Sequence, residues 1–421
     1  MPLRHALALL LVLAGLVPAS HAQLALPPVP ALPGGLDAPL RPVLSEADRR
    51  LADLRQAQVR LLLRQHRDVL DTDPRGELIV RHEVLLLAPE AATLQRIEAA
   101  GYRVVRRLEN APLGLEAVVL RPPAATRTWR ALRRLQRLAP DAEFTFNHIY
   151  LGSGQPGAPL DPAMPGRIPA ELSAAAPIRM GLIDSGIDAA HPALQGLHIE
   201  RWGCGGQEVP TKHGTAVASL LAGDAAGAPL SGTVLHAADI YCGAATGGAV
   251  LNLVQALAWM AEQEVPVVNL SVVGPANPLL ERAVSAMAGR GHLLVAAVGN
   301  DGPGAPPLFP AAYPQVVGVT AVDHRQRVLP EALRGPQVHF AAPGTLLAAG
   351  MGAAREAVRG TSFASPIVAR LAATRWRPGD SPDNVLARLE AEARDLGAAG
   401  PDPNYGHGLL GADLPLVSPR K

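Results

Sequence analysis

The chain has 421 residues, enough for two to three domains and a sizeable core. Apolar residues make up 48% and charged residues 18%, a globular composition that excludes wholesale disorder. Against 38 Lys plus Arg stand 37 Asp plus Glu, a net charge of +1 that gives no compositional case for a nucleic-acid partner.

Residues 1–22 read as a cleavable export signal. Arg4 supplies the positive start, Ala6 to Val17 is an unbroken apolar run, Pro18 breaks it, and Ser20-His21-Ala22 offers small residues at the cut. The run is too short for a comfortable span of roughly 20 residues. The mature chain is therefore expected to be secreted or periplasmic, with no membrane partner once the signal is removed. In that oxidising setting Cys204 and Cys242, each beside turn glycines, are expected to form one disulfide.

Residues 23–76 open with a proline-rich linker and continue into a helix that starts at Ser45, with Ser45 and Asp48 as its capping pair and leucines at 51, 54, 61 and 62. Residues 77–150 predict, in order, a strand from Glu77 to Ala88, a helix from Pro89 to Ala100, strands from Tyr102 to Glu109 and Leu113 to Arg121, a helix from Ala124 to Leu138, and a short strand from Glu143 to Phe146. That order is the split βαβ arrangement of a small α+β domain. Residues 41–150 hold 19 Arg against 14 acidic residues, and the plain reading is a solvated basic face. Residues 151–175 return to Gly, Pro and Ala, an exposed linker that is easily cut.

From 176 to 413 short apolar runs alternate with helical patterns. Strands are expected at Ile178 to Ile183, Ala238 to Tyr241, Val265 to Leu270, His292 to Val298 and Gln315 to Val322. Helices are expected at His213 to Ala222, Val250 to Glu264, Pro278 to Gly289, Thr361 to Trp376 and Pro382 to Leu396. The alternation predicts an α/β fold, a parallel sheet with helices on both faces, followed by a tail at 414–421. In such sheets, active residues collect at the carboxyl ends of strands.

Three segments carry chemistry together. Gly181-Leu182-Ile183-Asp184-Ser185-Gly186-Ile187-Asp188 puts an acid just past a strand. Lys212-His213-Gly214-Thr215 puts a histidine at the mouth of a helix, and Gly360-Thr361-Ser362-Phe363-Ala364-Ser365-Pro366 puts a serine at the start of another. The order Asp, His, Ser is the one that a single unrelated fold uses for its triad. On these segments the sequence resembles the subtilases, the subtilisin-like serine proteases. Ala296-Ala297-Val298-Gly299-Asn300 and the closing Asn404-Tyr405-Gly406-His407-Gly408 add to the likeness, which covers about residues 176 to 413.

The resemblance implies a secreted serine endopeptidase of subtilisin-like fold that acts on peptide or protein substrates. It implies Ser362 as nucleophile, His213 as base, Asp184 as the group orienting the imidazole, and Asn300 as an oxyanion donor. The cleft walls would be Ser271, Val272, Val273 and Gly274 on one side and Ala297, Val298 and Gly299 on the other. Val273 and Val298 stand where smaller residues are usual in the family, which predicts a narrowed pocket. The α+β segment is similar to an inhibitory prodomain, whose end (Phe144 to Tyr150) would thread the cleft and make the chain a zymogen. Asp188 is read as a turn residue, and Asp224 and His191 as surface residues. No metal or cofactor is expected, and the enzyme is expected to act as a monomer. The alternative is a catalytically inactive subtilase-like protein that binds peptides.

Overall fold

The computed structural model describes residues 55–123, 126–152, 155–156, 178–225, 230, 232–244 and 246–412. The export signal, the first linker, the predicted cap at Ser45 and the tail lie outside these residues. A first helix, α1 (residues 55–65), precedes β1 (Leu70–Thr72), β2 (Leu78–Leu87), α2 (Ala91–Ala99), β3 (Arg103–Asn110), β4 (Leu115–Arg121), α3 (Thr128–Leu138) and β5 (Glu143–Gly152). The central strands pair antiparallel in the order β5-β2-β4-β3.

The apolar run of β2 is explained by burial on both faces. Val84 and Leu86 point with Val118, Leu120, Phe144 and Phe146 into a core closed by Ile97 of α2 and Leu132 and Leu135 of α3. Leu85 and Leu87, one step out of phase, join Val119 in a second cluster with residues of the large domain. The last strand corrects the sequence reading. It continues past Phe146 to Gly152, because residues 149–152 find ladder partners beyond the small domain.

After β6 (Gln155–Pro156) the large domain runs β7 (Arg179–Asp184), β8 (His198–Trp202), α4 (Lys212–Leu221), β9 (Val234–Asp239), β10 (Gly248–Ala249), α5 (Val250–Glu262), β11 (Val267–Leu270) and β12 (Val272–Val273). Then come α6 (Pro278–Gly289), β13 (Leu293–Ala297), β14 (Val316–Val322), β15 (Phe340–Pro343), β16 (Thr345–Ala349), β17 (Arg355–Arg359), α7 (Thr361–Arg375) and α8 (Pro382–Glu392). Seven strands form a parallel sheet in the order β15-β14-β13-β11-β7-β9-β8. Alternate side chains face opposite layers: Met180, Leu182 and Val295 meet α4 and α7, while Val268, Leu270 and Leu294 meet α5 and α6.

Three strands of this sheet depart from the sequence reading. β9 ends where Ala238 to Tyr241 was expected to begin its run, because Asp239 Oδ1 accepts from Tyr241 N (2.8 Å) and Cys242 N (2.9 Å) and turns the chain. β8 and β15 were missed: the first is a polar edge strand, the second a four-residue run ending in proline. Cys204 and Cys242, on the loops after neighbouring β8 and β9, are joined by a disulfide. Among the described residues no helix is long and apolar enough to cross a membrane.

Candidate active site

Asp184 is the last residue of β7, at the carboxyl edge of the sheet, and is fully buried. Its Oδ1 accepts from Ser185 N (2.6 Å), Ser185 Oγ (2.8 Å) and His213 Nδ1 (2.8 Å). His213 is held there by the start of α4. Thr211 caps that helix, accepting from Gly214 N at 3.1 Å, and its Oγ1 lies 2.6 Å from Ser185 Oγ. Gly214 is required by close approach, since a Cβ there would lie 2.2 Å from Ser185 O. Burial pushes the imidazole pKa down, but the charge and hydrogen bond of Asp184 outweigh it and leave His213 above its ordinary 6.5.

Ser362 is the second residue of α7, so its N–H lies in the first turn, where helix N–H groups lack intrahelical partners. Its Oγ donates to Ser271 O at 3.3 Å, and among the described residues the buried His213 Nε2 has no hydrogen-bond partner. The Phe363 ring lies 5.4 Å from the imidazole, between centroids, and backs it. Asn300 follows β13, and its Oδ1 accepts from Thr361 N at 3.1 Å. A backbone N–H can only donate, so this bond fixes the amide and makes Nδ2 the donor end.

The cleft is crossed by the chain itself. β5 enters it between β10 and β12, antiparallel to both, with Tyr150 opposite Gly248, Leu151 opposite Val273 and Gly152 opposite Val272. Tyr150 is fully buried, its hydroxyl donates to Pro275 O at 2.6 Å, and its ring fills the place that a side chain at Gly274 would occupy. A Cβ on Gly152 would stand 3.5 Å from His213 Cε1 and Nε2. The described chain resumes as β6, with Gln155 opposite Arg359 and Pro156 opposite Val358 of β17.

A family profile described as the subtilase family matches residues 177–408, more than half of the chain. The chain belongs to the subtilase family. It is 33% identical over 206 residues to the minor extracellular protease Epr of Bacillus subtilis, covering 47% of this chain and 32% of that one. It is 32% identical over 214 residues to the halolysin-like extracellular serine protease Nep of Natrialba magadii, covering 49% and 39%. It is 33% identical over 209 residues to subtilisin Savinase of Lederbergia lenta, covering 48% and 76%. The chain thus spans about a third of the length of the first two relatives. Among solved structures, fervidolysin of Fervidobacterium pennivorans superposes with a TM-score of 0.65 at 19% identity, over 82% of this chain and 63% of that one. That match shares the fold and, at 82%, reaches beyond the subtilase region into the N-terminal domain.

Within this subtilase site, Asp184 and His213 are brought together and Ser362 and Asn300 lie on the adjoining segments. Ser271, Val272, Val273 and Gly274 line the strand that β5 joins. The Val298 side chain turns away into the apolar core toward Gly318, so the narrowing assigned to that side chain is not there. The residue that crowds Gly299 is Leu308, whose Cδ1 would be 2.5 Å from a Cβ at that glycine. His191 corrects another reading. It is buried, its Nδ1 accepting from Ala193 N and its Nε2 donating to Ala354 O at 3.2 Å. Asp224 is half-buried and paired with Arg355. The sequence reading also missed Arg55 of α1, whose guanidinium joins Glu77 (3.2 Å) of the small domain to Asp301, the neighbour of Asn300. A single arginine ahead of a domain carries no pattern that could have revealed this.

Proposed function

We propose that this subtilase is a serine endopeptidase made as a zymogen, with residues up to 153 as its inhibitory segment. The observation that supports it best is the convergence of Asp184, His213, Ser362 and Asn300 at a cleft already occupied by the chain in extended, strand-paired form. Extended pairing on β12 is how a peptide substrate would also lie, its main chain adding a strand to an exposed edge.

The register points to one bond. Gly152 lies under the imidazole and Gln155 is already paired with Arg359 of β17, so the span holds three peptide bonds, and the central one joins Ser153 to Gly154. In the proposed reaction Ser362 Oγ attacks the Ser153 carbonyl carbon as its proton passes to His213 Nε2. Rotation of the hydroxyl from Ser271 O toward the ring precedes attack. The oxyanion is met by Asn300 Nδ2 and Ser362 N–H. The C–N bond then breaks, and the proton on His213 leaves with the Gly154 amine. Water, deprotonated by His213, hydrolyses the acyl-enzyme.

Leu308 beside Gly299, with Ser153 as the chain's own residue before the cut, supports a preference for small residues there. The test is N-terminal sequencing of the active form together with peptide-library cleavage. A new amino terminus at Gly154 and small residues before the cut are expected. An active form that still begins near Gln23 contradicts the zymogen reading, and a profile dominated by Phe or Tyr contradicts the pocket. The parked Ser362 hydroxyl is what favours the second reading, an inactive peptide-binding protein. A chain that stays uncut, and whose Ser362 a fluorophosphonate fails to label after the small domain is removed by another protease, would favour that reading instead.

A further inference from the structure

Helix α3 breaks several local rules at once. Arg130, Arg133, Arg134 and Arg137 recur three and four residues apart on one exposed face, with Arg127 at the N-cap. Like charges at these spacings destabilise a helix. Arg127 and Arg130 also sit at the positive end of the helix dipole, where the first turn has no acidic residue and the cap makes no side-chain hydrogen bond. Among the described residues none of the five is paired with a carboxylate. Arg130 and Arg133 instead lie over the Trp129 ring, 5.2 and 5.5 Å from its centroid. The five arginines and Trp129 border a shallow concavity of about 540 Å³.

The imbalance extends to the whole small domain. Residues 55–152 hold 16 Arg against 11 Asp plus Glu, net +5, whereas residues 178–412 hold 15 Lys plus Arg against 19 Asp plus Glu, net −4. A local conflict without compensation inside the fold marks a surface with an external partner. Guanidinium groups match phosphate oxygens in paired hydrogen bonds, and a half-buried tryptophan suits the headgroup zone of a bilayer. The apolar face of α3 (Ala131, Leu132, Leu135) is committed to the domain core, so contact is with headgroups and not by insertion.

We propose that the arginine face of α3 docks the uncut chain on an anionic lipid bilayer. This departs from the solvated face, and the absence of a membrane partner, that the sequence alone suggested. A chain expected to be exported meets bilayers, not nucleic acid, which decides between polyanions. The docking itself does not depend on catalysis; only its consequence rests on the zymogen reading, since cutting after Ser153, followed by dissociation of the small domain, would free a net acidic catalytic domain from the surface.

The test uses the full chain carrying Ser362→Ala and vesicles of phosphatidylglycerol with phosphatidylcholine. Sedimentation with these vesicles, loss of binding at high salt, and little binding to pure phosphatidylcholine are expected. Each surface arginine contributes about fivefold, so Arg130→Gln/Arg133→Gln/Arg134→Gln/Arg137→Gln should weaken partitioning at least about a hundredfold. Thermal stability of that variant should stay or rise, because repulsion is relieved. Equal binding by the variant, or no binding by the parent, overturns the proposal. So does an equal loss when Arg60, Arg64, Arg67 and Arg75 are replaced instead, which would reduce the effect to net charge. Binding to immobilised heparin without binding to vesicles overturns the lipid as occupant. Failure of the processing reaction in the unmutated chain would leave the vesicle result standing and remove only the release step.

Discussion

The two domains close their cores in different ways. The large domain covers both faces of its parallel sheet with its own helices, α4 and α7 on one side and α5 and α6 on the other. The small domain covers only one face with α2 and α3. Its other face, through Leu85, Leu87, Leu108 and Val119, shares a cluster with Val250, Val254, Leu280 and Val284 of α5 and α6. The first is complete by itself, and the second borrows a wall. A domain that borrows a wall depends on its host for much of its burial, at about 25 cal/mol per Å² of apolar surface. This fits the proposed removal of the small domain, which once detached would lose that burial and become marginal.

The strongest way to break this contrast is to stop the separation. Ser362→Ala should leave the fold intact and abolish the cut between Ser153 and Gly154, so the purified chain runs as one band by denaturing gel. Loss of the nucleophile removes the covalent route, a decrease of at least about 10⁴-fold. A variant that is processed at the normal rate in a purified sample would remove Ser362 from the chemistry. Next in size, Asn300→Leu should lower kcat by about 10²- to 10³-fold with KM little changed, since the amide meets charge that exists only in the transition state. A rise in KM at unchanged kcat would instead make Asn300 a ground-state contact.

Much of this was legible in the residues. The apolar runs of β7, β11, β13 and β14 have β-branched residues and strand length, and the segments around Asp184, His213 and Ser362 follow one another in an order that little else produces. What was not legible depends on partners far along the chain. Nothing in Ile149-Tyr150-Leu151-Gly152 says that the strand continues, because from Ile149 on its ladder partners are β10 and β12, about a hundred residues away. Val298 lies two residues before Asn300 in sequence yet turns into the core, since alternate residues along β13 and just beyond it face opposite layers. His191 looks like a surface histidine until Ala354, on a hairpin 163 residues later, closes over it.

The borrowed wall continues into the cleft through Tyr150, and Tyr150→Ala sharpens the comparison. A buried aromatic replaced by alanine costs about 3–5 kcal/mol when its site does not collapse. The pocket floor at Gly274 and Pro275 is backbone and cannot close over the gap. After processing, the small domain should therefore leave the large one at least about a hundredfold more readily. Size-exclusion chromatography of the processed mixture, with peptide hydrolysis followed in parallel, reads this directly. Co-elution and latency equal to the parent would show that strand pairing alone carries the contact.

The smallest effect is electrostatic. Arg55 lies between Glu77 of the small domain and Asp301 of the large one, at the edge of a cleft of about 880 Å³ that side chains do not fill. Burial acts to lower the Arg55 pKa, but the charges of Asp301 and Glu77 outweigh it and leave the pKa raised. At this edge packing contributes little, so the cation is the tie. Arg55→Gln removes it and leaves two carboxylates facing each other across the boundary, which turns an attraction into a repulsion. Partial exposure screens the change, so about a tenfold shorter latency is expected, against the hundredfold of Tyr150→Ala. The parent's own latency should shorten as salt is raised, and the Arg55→Gln chain should respond in the opposite sense, since salt then screens a repulsion. Identical latency and identical salt response in the two chains would leave the borrowed apolar face and the strand in the cleft as the whole of the attachment.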